Sequence, residues 1–300
     1  MNGGSPRRLG PIRDLGPLSG PLIAFGGPLG NIDALNALLT EARALKVAPE
    51  NMICTGDVAA YCADPAPCVG TLRAANARVV MGNCEESLAA DAEDCGCNFI
   101  AGSTCDALAG AWYQLTRARM TAPDRAWMAA LPRGLSFTMG GAKLAVIHGG
   151  ARQINRYLFA SDRRALASEM DALDADVVIA GHSGLPFTTD IGDGLWHNPG
   201  ALGLPANDGT PRVWYALITA AAGEITIAQR PLSYDYRAQA RKMRAARLPE
   251  AYAQAIETGL WPDTAILPEA ETRATGQALR PLSVAWRGAF VKKRLIQPTG

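Results

Sequence analysis

The sequence predicts an α/β fold with layered sheets, and three observations carry that reading. Short apolar runs such as PLIAF (21–25), NMICT (51–55) and DVVIA (176–180) alternate with polar loops and amphipathic stretches. The residues following Asn31 place Leu35, Leu38, Leu39, Ala42 and Leu45 at helical spacing. Finally, 48% hydrophobic residues in a 300-residue chain are ample for a core, while 31 Gly and 20 Pro argue against a coiled coil or helical repeat.

Residues 1–20 (MNGGSPRRLGPIRDLGPLSG) are rich in Gly and Pro, lack periodicity, and read as a flexible N-terminal arm. PLIAF is a buried strand leading through GGPLGN into the first helix, and NMICT is the next strand. A helix near Pro65–Ala75 precedes ARVVM, a third strand ending in GNCEE. A helical middle spans Ala107–Leu131, after which LSFTM and AKLAVI flank Gly140-Gly141 as a hairpin. DVVIA is a further buried strand, RVWYALIT pairs with EITIAQ across Ala222-Gly223, and helices follow near Tyr236–Arg247 and Pro249–Gly259. The main domain is thus expected over 21–262, with 263–300 as a C-terminal extension. From 272 onward there are six basic residues and no acid, which suits a solvated tail.

Charge excludes some functions. Lys plus Arg is 29 and Asp plus Glu is 28, a net charge of +1, so no nucleic-acid partner relying on a basic surface is expected. The uncharged stretch Leu15–Ile32 is broken by five Gly and three Pro and cannot span a membrane. No clean export signal precedes the seven cysteines, so reduced thiols and a cytoplasmic location are expected, with oligomeric state left open.

Four strands end alike: in Gly56-Asp57, Gly82-Asn83, His148-Gly149 and Gly181-His182. Ligands of open α/β sheets bind beyond such carboxyl ends, and adjacent glycines let backbone approach closely. A polar residue there is ordinarily a turn former. Here, however, two of only three histidines occupy the position. One carboxylate, one amide oxygen and two imidazoles form a mixed N/O set for a divalent transition metal.

In this order GDVAAYCADPAPCV, GNCEE, VIHGG, GHSGLP and NPGALGLP resemble the calcineurin-like metallophosphoesterases, across about residues 22–262. The resemblance implies a four-layer α/β/β/α sandwich with a dinuclear metal centre. It implies that Asp57, Asn83, His148 and His182 hold one metal, with Asp57, Asn83, Cys84 and His148 as the catalytic set. Cys84 stands where many members carry a proton-donating His. Ligands of the other metal would come from an opening D-x-H and the last His of GHxH. This chain has Gly27-Pro28-Leu29 and Gly184 at those places. The expected cofactor is therefore one divalent transition metal, Mn, Fe, Zn or Ni, with a second doubtful.

The expected activity is metal-dependent hydrolysis of a small phosphate mono- or diester. The alternative is a non-hydrolytic metal- or anion-binding protein, redox-linked through its cysteines. The GGPLGN loop opens a helix, so Gly27, Gly30 and Asn31, together with Arg152, are candidates for holding a phosphorylated or anionic ligand. His197 is a candidate extra ligand, although neighbours in a strand alternate faces and His197 and Asn198 would not both point inward. Cys95, Cys97 and Cys105 lack a recognisable paired spacing and are not expected to carry the main metal.

Overall fold

The computed structural model describes residues 11–288. The chain begins with β1 (Ile12–Pro17), β2 (Leu22–Phe25), α1 (Ile32–Ala44), β3 (Met52–Cys54), α2 (Pro65–Ala74), β4 (Arg78–Val79) and α3 (Asn83–Ala89). It continues with α4 (Thr104–Arg119), α5 (Ala122–Ala129), β5 (Gly134–Met139), β6 (Ala142–Ile147), α6 (Arg163–Leu173), β7 (Val177–Ala180), β8 (Pro186–Ile191) and β9 (Gly194–Pro199). It closes with β10 (Val213–Ala221), β11 (Glu224–Leu232), α7 (Tyr236–Ala245), α8 (Glu250–Thr258), α9 (Glu269–Arg273) and β12 (Leu282–Arg287).

Two six-stranded sheets form, in the orders β1-β5-β6-β7-β9-β8 and β12-β11-β10-β2-β3-β4. Strand alternation sorts the apolar residues into layers. In β2, Leu22 and Ala24 face the other sheet, while Ile23 and Phe25 face helices α1, α2, α4, α7 and α8. In β7, Val177 and Ile179 enter the inter-sheet core, and Val178 and Ala180 meet Leu166 and Met170 of α6. Both faces of these strands are buried, which is why they read as unbroken apolar runs. The result is the expected four-layer α/β/β/α sandwich.

Several boundaries differ from the sequence reading. Residues 12–17 of the supposed N-terminal arm are β1, paired in parallel with β5, whereas 1–10 lie outside the described residues. Their Gly and Pro content hid an edge strand. Residues 282–287 of the supposed solvated extension are β12, antiparallel to β11. Trp286 seals the end of the inter-sheet core and donates Nε1–H to the Asp193 carbonyl at 2.9 Å. Residues 289–300 lie outside the described residues. The helical middle divides at Thr121, whose hydroxyl accepts from the Asp124 amide and starts α5. Strand β4 is only two residues long, because Val80 and Met81 already turn toward Gly82.

Candidate metal centre

Each sheet sends two residues to one place. Asp57 follows β3 and Asn83 opens α3 just after β4, both from one sheet. His148 follows β6 directly and His182 comes two residues after β7, both from the other. Their donor atoms converge. His148 Nε2 lies 3.0 Å from Asn83 Oδ1, 3.1 Å from His182 Nδ1 and 3.3 Å from Asp57 Oδ2. One ligand atom each from Asp57, His148 and His182 falls within 4.8 Å of the other two. Asp57, Asn83 and His148 are buried.

The proton positions follow from the partners. His148 Nδ1 stands 2.6 Å from the Thr55 carbonyl oxygen and must donate to it. Asn83 Nδ2 donates to the Cys95 carbonyl at 2.9 Å, so Oδ1 is the atom facing His148. His148 Nε2 therefore looks at a carboxylate oxygen, an amide oxygen and an imidazole nitrogen. Acceptors so gathered need a positive species among them, a proton or a cation. Donor atoms about 2.1 Å from a common ion stand roughly 3.0–3.4 Å apart at octahedral or tetrahedral angles. The three spacings to His148 Nε2 match, and the donor set fits a divalent transition metal.

Electrostatics agree. Burial would raise the Asp57 carboxyl, but His148, by charge and hydrogen bond, and His182 outweigh it and hold it at about 2. Burial lowers the His148 imidazole, and the Asp57 carboxylate more than reverses that, leaving it raised. Burial and the proximity of His148 bring His182 down to about 3.

The scaffold that aims these groups was only partly legible. Glu85 is fully buried and accepts from three backbone amides: Asp57 at 2.7 Å, Val58 at 2.8 Å and Gly82 at 2.9 Å. It ties the Asp57 turn to the start of α3, and burial with Asp57 nearby pushes its carboxyl up to about 7. The sequence signal was an acid three residues after Gly82 at a helix start. Gly82 permits the contact, since a Cβ there would lie 2.3 Å from Asp57 Oδ1. Asp57 and His182 both adopt left-handed backbone, φ +59° and +58°, the kind of strain that accumulates where geometry serves a site. The Tyr157 ring stacks on His182 with centroids 4.3 Å apart, from a loop that carried no sequence signal.

Other candidates are placed differently. Cys84 contributes its backbone amide, which donates to Asp57 Oδ1 at 3.1 Å. Its thiol is buried, does not line the cavity beside the centre, and is pushed well up by burial and by Asp57 and Glu85. Cys84, expected among the catalytic residues, thus meets the centre through its backbone amide and not through its thiol. His197 is buried on β9, where Nδ1 meets the Thr188 hydroxyl at 2.9 Å, and it does not join the cluster. Asn198 faces inward instead, donating to the Gly181 carbonyl and the Ser183 hydroxyl. Arg152 is exposed and does not line the cavity.

The anion cradle expected of the GGPLGN loop is also corrected. The amides of Leu29, Gly30 and Asn31 donate to the carbonyls of Asp57, Val58 and Pro28. The Asn31 side chain is spent capping the Ala34 amide and donating to the Gly203 carbonyl. Gly27 lines the cavity and Gly30 does not. Cysteine chemistry differs too: Cys95 and Cys97 are joined in a disulfide, while Cys54, Cys62, Cys68, Cys84 and Cys105 are free. The bonded pair supports Asn83 through the Cys95 carbonyl.

The positions corresponding to the other metal have been refilled. A Cβ on Gly27 would lie 2.3 Å from the Asp57 carbonyl oxygen, so this backbone leaves no room for an Asp. A Cβ on Gly184 would come within 3.2 Å of the Trp261 indole. Leu29 replaces the His of D-x-H and lines a cavity of about 90 Å³ that opens on Asp57, His148 and His182.

Comparison with known proteins is consistent with this geometry. Residues 30–223 match the model of the calcineurin-like phosphoesterase superfamily domain. An uncharacterised protein of Methanocaldococcus jannaschii is 25% identical over 252 residues, covering 76% of this chain and 94% of that protein. A metallophosphoesterase of Sphaerobacter thermophilus superposes with TM-score 0.63 at 22% identity, over 81% of this chain and all of that one. A hypothetical protein of Pyrococcus horikoshii superposes with TM-score 0.68 at 16% identity, over 80% of this chain and 99% of that one.

Proposed function

Since the chain belongs to the calcineurin-like phosphoesterase superfamily, we propose that it is a metal-dependent hydrolase of a small phosphate mono- or diester working with a single metal. The observation that carries this is the convergence of Asp57, Asn83 and His182 on His148 Nε2, beside a half-site whose ligand positions are Gly27, Leu29 and Gly184. Asp57, Asn83, His148 and His182 would hold one divalent ion, among Mn, Fe, Zn and Ni, since mixed N/O donors select weakly. Bound there, such an ion supplies Lewis acidity toward a phosphoryl oxygen.

The protein's own groups set the conditions. Thr55 holds the Nδ1 proton of His148 and so presents Nε2 inward. The Cys84 amide and Glu85 fix the Asp57 carboxylate in its strained turn. The Tyr157 ring lines the cavity and stacks on His182, holding the plane of that imidazole.

A second reading, a non-hydrolytic metal- or anion-binding protein on this scaffold, draws support from the crowding at Gly27 and the indole over Gly184. Without the second cation, half of the electrostatic clamp on a phosphoryl group is gone. Turnover of bis(4-nitrophenyl) phosphate and 4-nitrophenyl phosphate by Mn-loaded protein separates the readings. Hydrolysis that is slow, metal-dependent and lost in Asp57→Asn supports the enzyme. No turnover of either ester with metal bound supports the binding protein. A cytoplasmic location belongs to the same proposal; among the described residues, no helix is long and apolar enough to cross a membrane.

A further inference from the structure

The cavity beside the cluster has an unusual lining for a phosphate site. Among the described residues that line it there is no Lys or Arg, and the charged side chains are Asp57 and Asp263, both acidic. Its walls are Leu29, Phe99, Leu204, Tyr252, Trp261 and Ile266. Phosphate dianions are ordinarily met by guanidinium or ammonium groups. One divalent ion beside Asp57, with Asp263 at the same cavity, leaves no surplus positive charge, so each added negative charge on a ligand counts against it and a monoanion is held more easily than a dianion.

The apolar wall is built in advance. Trp261 donates Nε1–H to the Pro205 carbonyl at 2.7 Å, and its amide donates to Asn207 Oδ1 at 2.8 Å. Its indole reaches over Gly184, where a larger residue would displace it. Opposite, Tyr61 stacks on Trp112 at 4.4 Å and meets Tyr252 edge-on at 5.1 Å. Tyr252, only 1% exposed, also lines the cavity.

We propose that the half-site closed to a second metal is a subsite for an apolar ring, and that the ligand is a singly charged phosphodiester bearing that ring. Its anionic oxygen lies toward Asp57, His148 and His182, and its ring lies against Trp261 and Leu29. This rests on the reading of the cluster as a one-metal centre and narrows its substrate from mono- or diester to apolar diester.

Calorimetric titration of the full chain carrying one equivalent of Mn(II), at pH 8, tests it with three probes: diphenyl phosphate, phenyl phosphate and inorganic phosphate. Diphenyl phosphate should bind about tenfold tighter than either dianion or more. Trp261→Ala should weaken diphenyl phosphate about tenfold and leave inorganic phosphate and Mn(II) within about twofold. Ile266→Arg, at a half-exposed wall position, should tighten phenyl phosphate about tenfold and so erase the preference. Equal affinity of the three probes in a protein that holds Mn(II) overturns the subsite and leaves the one-metal reading intact. So does a preference that survives both substitutions. Failure to take up Mn(II) at all overturns both.

Discussion

His148 donates its Nδ1 proton to the Thr55 carbonyl across 2.6 Å, from the end of a strand in one sheet to the end of a strand in the other. That bond fixes which nitrogen faces Asp57, Asn83 and His182, and everything proposed for the centre depends on it. With Asp57 holding the His148 imidazole raised, Nε2 carries the proton a cation must displace.

The first expectation concerns that proton. His182 is held at about 3 and Asp57 at about 2, so neither binds a proton near neutrality. Metal binding should therefore release a proton from His148, and affinity should weaken as pH falls through the range in which that imidazole is protonated. Calorimetry in buffers of different ionisation enthalpy reads the number directly. Uptake without proton release, or a pH-independent affinity, would show that His148 is not the titrating ligand.

Glu85 is expected to hold the site together structurally. Glu85→Gln keeps one acceptor and turns an NH2 toward backbone donors, so it should cost about 2–4 kcal/mol in urea unfolding and weaken metal binding. A loss below about 0.5 kcal/mol would mean the three amide contacts contribute nothing.

Restoring the family's Asp at position 27 should not restore a second metal. The Gly27→Asp side chain begins 2.3 Å from the Asp57 carbonyl oxygen, so the turn must move. Destabilisation of about 2–4 kcal/mol and no gain in bound metal are expected. Two equivalents of metal in a folded Gly27→Asp protein would show that the half-site is open.

His197→Gln should leave metal content unchanged, because the ring is buried between strands with the Thr188 hydroxyl at its Nδ1. Metal analysis beside an unfolding curve separates a ligand from a packing residue. Loss of metal in a variant as stable as the wild type would place His197 in the centre.

How much of this could be read from the chain follows the same physics. The central strands announced themselves because both faces are buried, and the four ligand positions stood out because polar residues and glycine repeat at strand ends. Edge strands β1 and β12 did not, since one holds Gly and Pro and the other sits in a basic stretch. Gly27, Leu29 and Gly184 showed that a ligand set was missing. The sequence could not show that Trp261, 77 residues beyond Gly184, reaches over that glycine. Nor could a Gly-rich loop reveal that the amides of Leu29 and Gly30 are already spent on the Asp57 turn, because those partners lie on a different loop.

The central claim is one metal held by Asp57, Asn83, His148 and His182. Metal per chain, measured by mass spectrometry on protein purified without a chelator or a metal-binding tag, tests it most directly. The account predicts about one equivalent in the wild type. In Asp57→Asn and His148→Ala proteins that remain folded by circular dichroism, metal should drop to a small fraction of that. Two equivalents in the wild type, or metal retained in both variants, would contradict it.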